Sequence, residues 1–170
     1  MTAADGAPDI QTLDVAALDR WAGAHVPGWR GPCTARKFAQ GQSNPTYLVE
    51  AASGRYVLRR KPPGQLLKSA HAVDREFRVL GALGGAGFPV PRVHALCEDE
   101  GVIGSAFYLM DFVEGRIFWD PRLIELPRDD RAAIYDAMNA GLAQLHSVDP
   151  AAVGLAEFGR PGNYFARQFG

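Results

Sequence analysis

Two features of the chain could act together on a ligand. One is a short polar turn, Gly41-Gln42-Ser43-Asn44, and the other is Arg59, a cation near the end of a strand-like run. Glycine tolerates positive φ and lets the backbone approach closely, so such a turn can fold its N–H groups over an anion. Glu76, beside Phe77 on the next helical stretch, is a candidate partner for Arg59. It reads equally well as one more solvated charge on a charged helix. The four histidines are scattered, and the chain has no GxxxxGK[ST] loop, GxSxG elbow or HExxH pair. The chemistry those two features could do together is binding of an anionic group.

The elements that must position these residues begin with Phe38 to Arg60, which reads as strand, glycine turn, strand, hairpin turn and strand. Val49 and the run Tyr56-Val57-Leu58 are β-formers, and Ser53-Gly54 marks the hairpin. The third strand places Arg59 beneath the glycine turn. Taken alone, the stretch favours an ordinary three-stranded meander with a polar tip over an anion site. The basic run Arg59-Arg60-Lys61 reads as a solvated strand edge.

Upstream, residues 1–10 read as disordered. Asp14 is placed to cap a helix through Val15, Leu18, Trp21 and Ala22, which Pro27-Gly28 ends. After the break at Lys61-Pro62-Pro63-Gly64, a helix starts at or just before Ser69 and runs to about Leu83. Val73, Phe77, Leu80 and Leu83 form its stripe, and His71 reads as a surface residue. Gly84-Gly85-Ala86-Gly87 follows a helix and lacks GxGxxG spacing, so it reads as a helix stop. Val93 to Cys97 and Ala106 to Phe112 are strands, the second apolar enough to lie inside a sheet covered on both faces. The turn Val113-Glu114-Gly115-Arg116 leaves it, either as simple geometry or as a hinge where a flat ligand meets open backbone. Arg128 to His146 is a long helix with Ile134, Met138, Gly141/Leu142 and Leu145 on its buried face. An aromatic tail with Phe158, Tyr164, Phe165 and Phe169 follows, dense enough to call for packing.

Composition narrows the function classes. The chain has 170 residues, 47% of them hydrophobic, which is enough for a core in one domain or slightly more. A net charge of -1 speaks against nucleic acid or an anionic membrane as partner. Cys33 and Cys97 have no metal-ligand or CxxC spacing and read as free thiols in a reducing compartment. The N-terminus has no signal-peptide pattern, and no stretch approaches the ~18 apolar residues of a membrane span. The expected location is the cytoplasm.

Taken as a set, FAQGQSNPTYLV, YVLRRKPPGQLLKSAHAVDREFRVL, PVPRVHALCEDE, FYLMDFVEGRIFWDP and LHSVD with GRPGNYFARQ resemble the aminoglycoside phosphotransferase and choline kinase-like family. The wording is closer still to the phosphotransferase domains that are associated with acyl-CoA dehydrogenases. The resemblance covers about residues 10–170. It implies an α+β, protein-kinase-like fold: a nucleotide-binding small lobe over 11–113, an antiparallel sheet plus a helix, then the hinge and first large-lobe helices over 114–170. It implies ATP as cofactor, with Mg2+, and a small-molecule hydroxyl as acceptor. Gly41, Gln42, Ser43 and Asn44 would cover the phosphates, and Arg59 would touch the α/β-phosphates, gripping an oxygen pair. Glu76 would orient Arg59. Met110 would back the adenine pocket, and the backbone of Asp111 and Val113 would bond the adenine edge, giving a cleft between meander and hinge.

One departure stands out. The family places an HGD catalytic loop, a downstream asparagine and a metal-binding aspartate well beyond the helix that ends here at His146, and no HGD occurs in these 170 residues. Phosphoryl transfer needs such groups. The expectation is an ATP-binding portion that does not turn over in isolation, with catalytic residues and protein metal ligands absent. The alternative is a non-catalytic kinase-like module that binds nucleotide or a protein. On either reading the 128–147 helix, short of a large lobe to cover it, would be open to self-association or a partner.

Overall fold

The computed structural model describes residues 13–39, 44–62 and 71–159, with Gly162 and Phe169. The stretches 1–10, Gly41 to Ser43, Ser69, and Tyr164 with Phe165, which carry expectations above, lie outside the described residues. The chain divides into two units, one of residues 1–78 and 91–112, the other of 79–90 and 113–170.

In the first unit, Asp14 caps helix α1 (Val15–His25), its Oδ1 accepting from the Ala17 N–H at 2.9 Å. Leu18 and Ala22 are fully buried, and Trp21 meets Phe107 edge-on at 4.7 Å. Gly28 takes a φ of 79° just past the helix end, a conformation that favours glycine.

A five-stranded, wholly antiparallel sheet follows: β1 (Thr34–Lys37), β2 (Thr46–Ala51), β3 (Gly54–Arg60), β4 (Val93–Cys97) and β5 (Phe107–Asp111), in the order β1-β2-β3-β5-β4. The first strand lies earlier than Phe38. Thr34–Lys37 offers little β-former signal, yet pairing with Tyr47 to Glu50 of β2 places the strand there, and only the Phe38 N–H continues the ladder, to Thr46 O. The β2–β3 hairpin turns at Ala52-Ser53, with Gly54 already paired to Ala51, one residue earlier than the composition suggested.

Strand side chains alternate between faces. Tyr47, Val49, Tyr56, Leu58, Phe107 and Leu109 join Leu18 and Ala22 of α1 in the core on one face. Arg60 points to the same side and is only 4% exposed, its Nε donating to Ser105 Oγ at 2.9 Å. The reading of Arg59-Arg60-Lys61 as a solvated edge therefore fails for Arg60, because alternation turns it inward. β5 lies inside the sheet, and Phe107, Tyr108 and Leu109 are buried as expected.

Helix α2 (Val73–Gly85) starts four residues later than Ser69. His71 has a φ of 62°, which no helix can include, so the helix begins after it. Its first turns lie in the first unit.

The second unit holds the end of α2, a loop in which Asp120 and Arg122 pair at 2.9 Å, and helix α3 (Arg128–His146). Tyr135 ties α3 to that loop through a 2.6 Å bond to Pro121 O. The apolar stripe of α3 is uncovered in this unit, as expected for the 128–147 helix: no residue of the helix is buried, and Met138 is 63% and Leu142 51% exposed. Among the described residues, cavities of 440 to 530 Å³ lie in this unit, one lined in part by Phe158. Phe169 is 87% exposed. Among the described residues no helix is long and apolar enough to cross a membrane.

Candidate functional site

On the sheet face opposite the α1 core, the register lines up Thr46 with Arg59 and Arg59 with Tyr108, and beside them Leu48 with Val57 and Val57 with Met110. These six residues share that face by alternation. Leu48 and Val57 are buried and Met110 is half-buried, so an apolar floor runs up to Arg59.

α2 brings a carboxylate to that cation. Val73 is fully buried and Phe77 meets Tyr108 edge-on at 6.0 Å, an apolar i, i+4 pair that seats the first turn. Glu76, between them, then reaches the sheet. Its Oε2 accepts from Arg59 Nε at 2.8 Å and from the Tyr108 hydroxyl at 3.0 Å. Its Oε1 accepts from Arg59 Nη2 at 3.1 Å and from Asn44 Nδ2 at 2.9 Å. A carboxylate offers about four lone-pair sites, and here all are used.

The electrostatics agree with the geometry. Burial is the largest influence on Arg59 and pulls its pKa down, but the hydrogen bonds and charge of Glu76 outweigh it and the pKa is raised. Burial first, then the charge of Glu76, pushes the Tyr108 phenol up, so it stays a donor. Arg59 is not sealed in: its side chain is 31% exposed and that of Glu76 34%. Two of its five side-chain N–H donors go to Glu76, and no described residue takes the other three. A guanidinium clamped on one edge, with its other donors untaken among the described residues, has the geometry to grip an oxyanion.

Asn44 closes the network from the strand side. It is 4% exposed, and its Oδ1 accepts from His71 Nδ1 at 2.9 Å. Thr46 Oγ1 donates to the Asn44 carbonyl at 3.0 Å. Since the amide nitrogen faces a carboxylate, the oxygen must face His71, and His71 Nδ1 must carry a proton.

Of the residues singled out in the sequence, the structure brings together Asn44, Arg59 and Glu76, with Met110 on the same face. Gly41, Gln42 and Ser43 lie outside the described residues. The Asp111 N–H donates to Arg92 O at 2.8 Å, and its Oδ1 meets His94 Nε2 at 2.6 Å, so that amide is not open to a ligand. Val113 belongs to the second unit and is 63% exposed. Sequence reasoning missed two members of the network. Tyr108 sits in an apolar run, where a buried hydroxyl must find a partner, and that was a usable signal. His71 gave none.

The chain matches the family described as "Phosphotransferase enzyme family" over residues 34–170. It is 54% identical over 164 residues to the Arabidopsis thaliana protein named "Probable acyl-CoA dehydrogenase IBR3", covering 92% of this chain and 20% of that one. It is 51% identical over 138 residues to mouse acyl-CoA dehydrogenase family member 10, covering 81% of this chain and 13% of that one. The chain thus spans a fifth or less of the length of these relatives. A solved structure from Ralstonia eutropha JMP134, assigned as an aminoglycoside phosphotransferase, superposes with a TM-score of 0.79 at 46% identity, over 92% of this chain and 45% of that one.

Proposed function

The chain belongs to the phosphotransferase enzyme family, in the branch whose relatives are named acyl-CoA dehydrogenase family members, and on that premise we propose that it is the ATP-binding portion of a kinase acting on a small-molecule hydroxyl. Its fold is kinase-like. The observation that carries the reading is the Arg59 guanidinium, held on one edge by Glu76 and with its other donors untaken among the described residues, at the end of an apolar strip formed by Leu48, Val57 and Met110.

The residues fit ATP in kind. A purine calls for apolar surface and a polyphosphate for a fixed cation, and on one strand face these lie two residues, ~7 Å, apart. ATP, when bound, supplies the phosphoryl group. Arg59 would hold its phosphates, Glu76 and Tyr108 would hold Arg59, and the turn Gly41 to Asn44 would cover them. Asp111 could meet an adenine edge only through its carbonyl, since its N–H is committed. Met110 keeps its assignment to the adenine side. The residues do not fit a metal ion equally well: every lone-pair site of Glu76 is taken, so no metal contact is assigned to it. No HGD tripeptide occurs in the 170 residues, so the reading assigns them binding and not turnover. A cytoplasmic location belongs to the same reading.

Calorimetric titration of the chain with Mg-ATP tests it. Saturable binding at one site per chain, competed by other nucleotides, is the expected result. A flat titration overturns the reading.

A further inference from the structure

We propose that His71 is a positioning residue for Arg59, acting through Asn44 and Glu76; the proposal rests on the nucleotide reading above. The chain of contacts is continuous. His71 Nδ1 donates to Asn44 Oδ1 at 2.9 Å, Asn44 Nδ2 donates to Glu76 Oε1 at 2.9 Å, and that same oxygen holds Arg59 Nη2 at 3.1 Å.

An asparagine amide can turn over about its last torsion, and its two ends differ only in hydrogen-bonding sense. Turned over, Asn44 would set its oxygen against the Glu76 carboxylate, acceptor against acceptor. The carboxylate thus fixes which way the amide faces, and His71, donating from Nδ1 to its oxygen, anchors Asn44 where it serves Glu76 as the fourth donor. Asn44 is 4% exposed, so water cannot stand in for either partner.

The backbone supports a dedicated role. His71 is held in the left-handed region at a φ of 62°, a strained conformation for a residue with a Cβ. Its carbonyl accepts from the Val73 N–H at 2.9 Å at the mouth of α2, so the strained residue is fixed just before the helix that carries Glu76. Asn44 directly continues Gly41-Gln42-Ser43. One amide thus joins the end of the proposed phosphate-covering turn to the carboxylate that aims the cation.

Two variants of the full chain separate the side-chain bond from the backbone. His71→Gly relieves the left-handed strain and removes the donor. His71→Asn tolerates the same φ and returns an N–H near the position of Nδ1. Two readouts are taken: Mg-ATP affinity, and the hydrogen-exchange rate of the Arg59 Nε–H in 15N–1H spectra without nucleotide. We expect His71→Gly to weaken Mg-ATP binding about three- to tenfold, as for loss of one network hydrogen bond, and to speed Nε–H exchange. His71→Asn should restore both. Unchanged affinity or exchange in His71→Gly overturns the proposal. So does a loss that His71→Asn does not restore, which marks a purely structural role. If the wild-type chain fails to bind Mg-ATP, the nucleotide reading falls, and the exchange rates alone decide the linkage. Faster exchange restored by asparagine then upholds His71 as positioning Arg59, and no change overturns it.

Discussion

Arg59 and Tyr108 stand opposite each other on neighbouring strands and donate to the same carboxylate oxygen, Oε2 of Glu76, at 2.8 and 3.0 Å. The oxygen is thereby held from two strands at once. Rotation of the Glu76 carboxyl would break both bonds, so the guanidinium plane is fixed before any ligand arrives. Preorganisation of this kind saves a ligand the cost of ordering the side chain.

Replacing Arg59 should weaken nucleotide binding. On the proposed reading Arg59→Ala removes charge-assisted bonds to phosphate oxygens, and the expected loss of Mg-ATP affinity is roughly tenfold to a hundredfold. Arg59→Lys keeps the charge but not the two-pronged grip on Glu76, and should fall between. Calorimetry on the three proteins decides it. Equal affinities would remove Arg59 from the phosphate contact.

Tyr108→Phe keeps the ring against Phe77 and deletes one donor to Glu76. We expect a stability loss of about 1 kcal/mol in denaturant unfolding. The loss stays small because Glu76 is a third exposed and water can fill the gap. A loss several times larger would mean that the hydroxyl holds more than this bond.

Burial pushes the Cys33 thiol up, with Asp19 adding to it, from 9.0 to about 11. The folded thiol then keeps a proton that the unfolded one gives up, so between those values the native state binds more protons. Stability from this source is complete below pH 9 and is lost as pH rises toward about 11. Unfolding free energies measured across that window should decline less steeply in Cys33→Ala. Identical slopes would show that the thiol does not titrate this way.

The α3 face carries Met138 at 63%, Leu142 at 51% and Tyr135 at 48% exposure. Contiguous apolar surface of this kind favours association. Sedimentation velocity of the isolated chain should show concentration-dependent oligomers, and Met138→Lys with Leu142→Glu should return it to a monomer. A wild-type chain that stays monomeric at high concentration would contradict this.

Local patterns made much of the frame legible. Asp14 before an i, i+3, i+4 stripe marked α1, and the cap is there. The bounds Arg128–His146 and Val93–Cys97 were readable from periodicity and punctuation, and the stretches quoted above carried the family. These signals are local because caps, breakers and alternation act within one or two turns of chain.

The sequence by itself thus determined the order of elements, the kinase-like class, and a cation and a carboxylate as candidates for one site. Only the tertiary structure decided how many groups meet there. That Tyr108 faces Arg59 follows from the β3–β5 register, which is set by pairing between distant segments. That Arg60 is buried while Arg59 stays open follows from which sheet face α1 covers. That His71 reaches Asn44 depends on a left-handed backbone at φ 62°, which no periodicity reveals. The exposed α3 face has the same origin: a helical stripe shows which side of a helix is apolar, and only packing determines whether anything covers it.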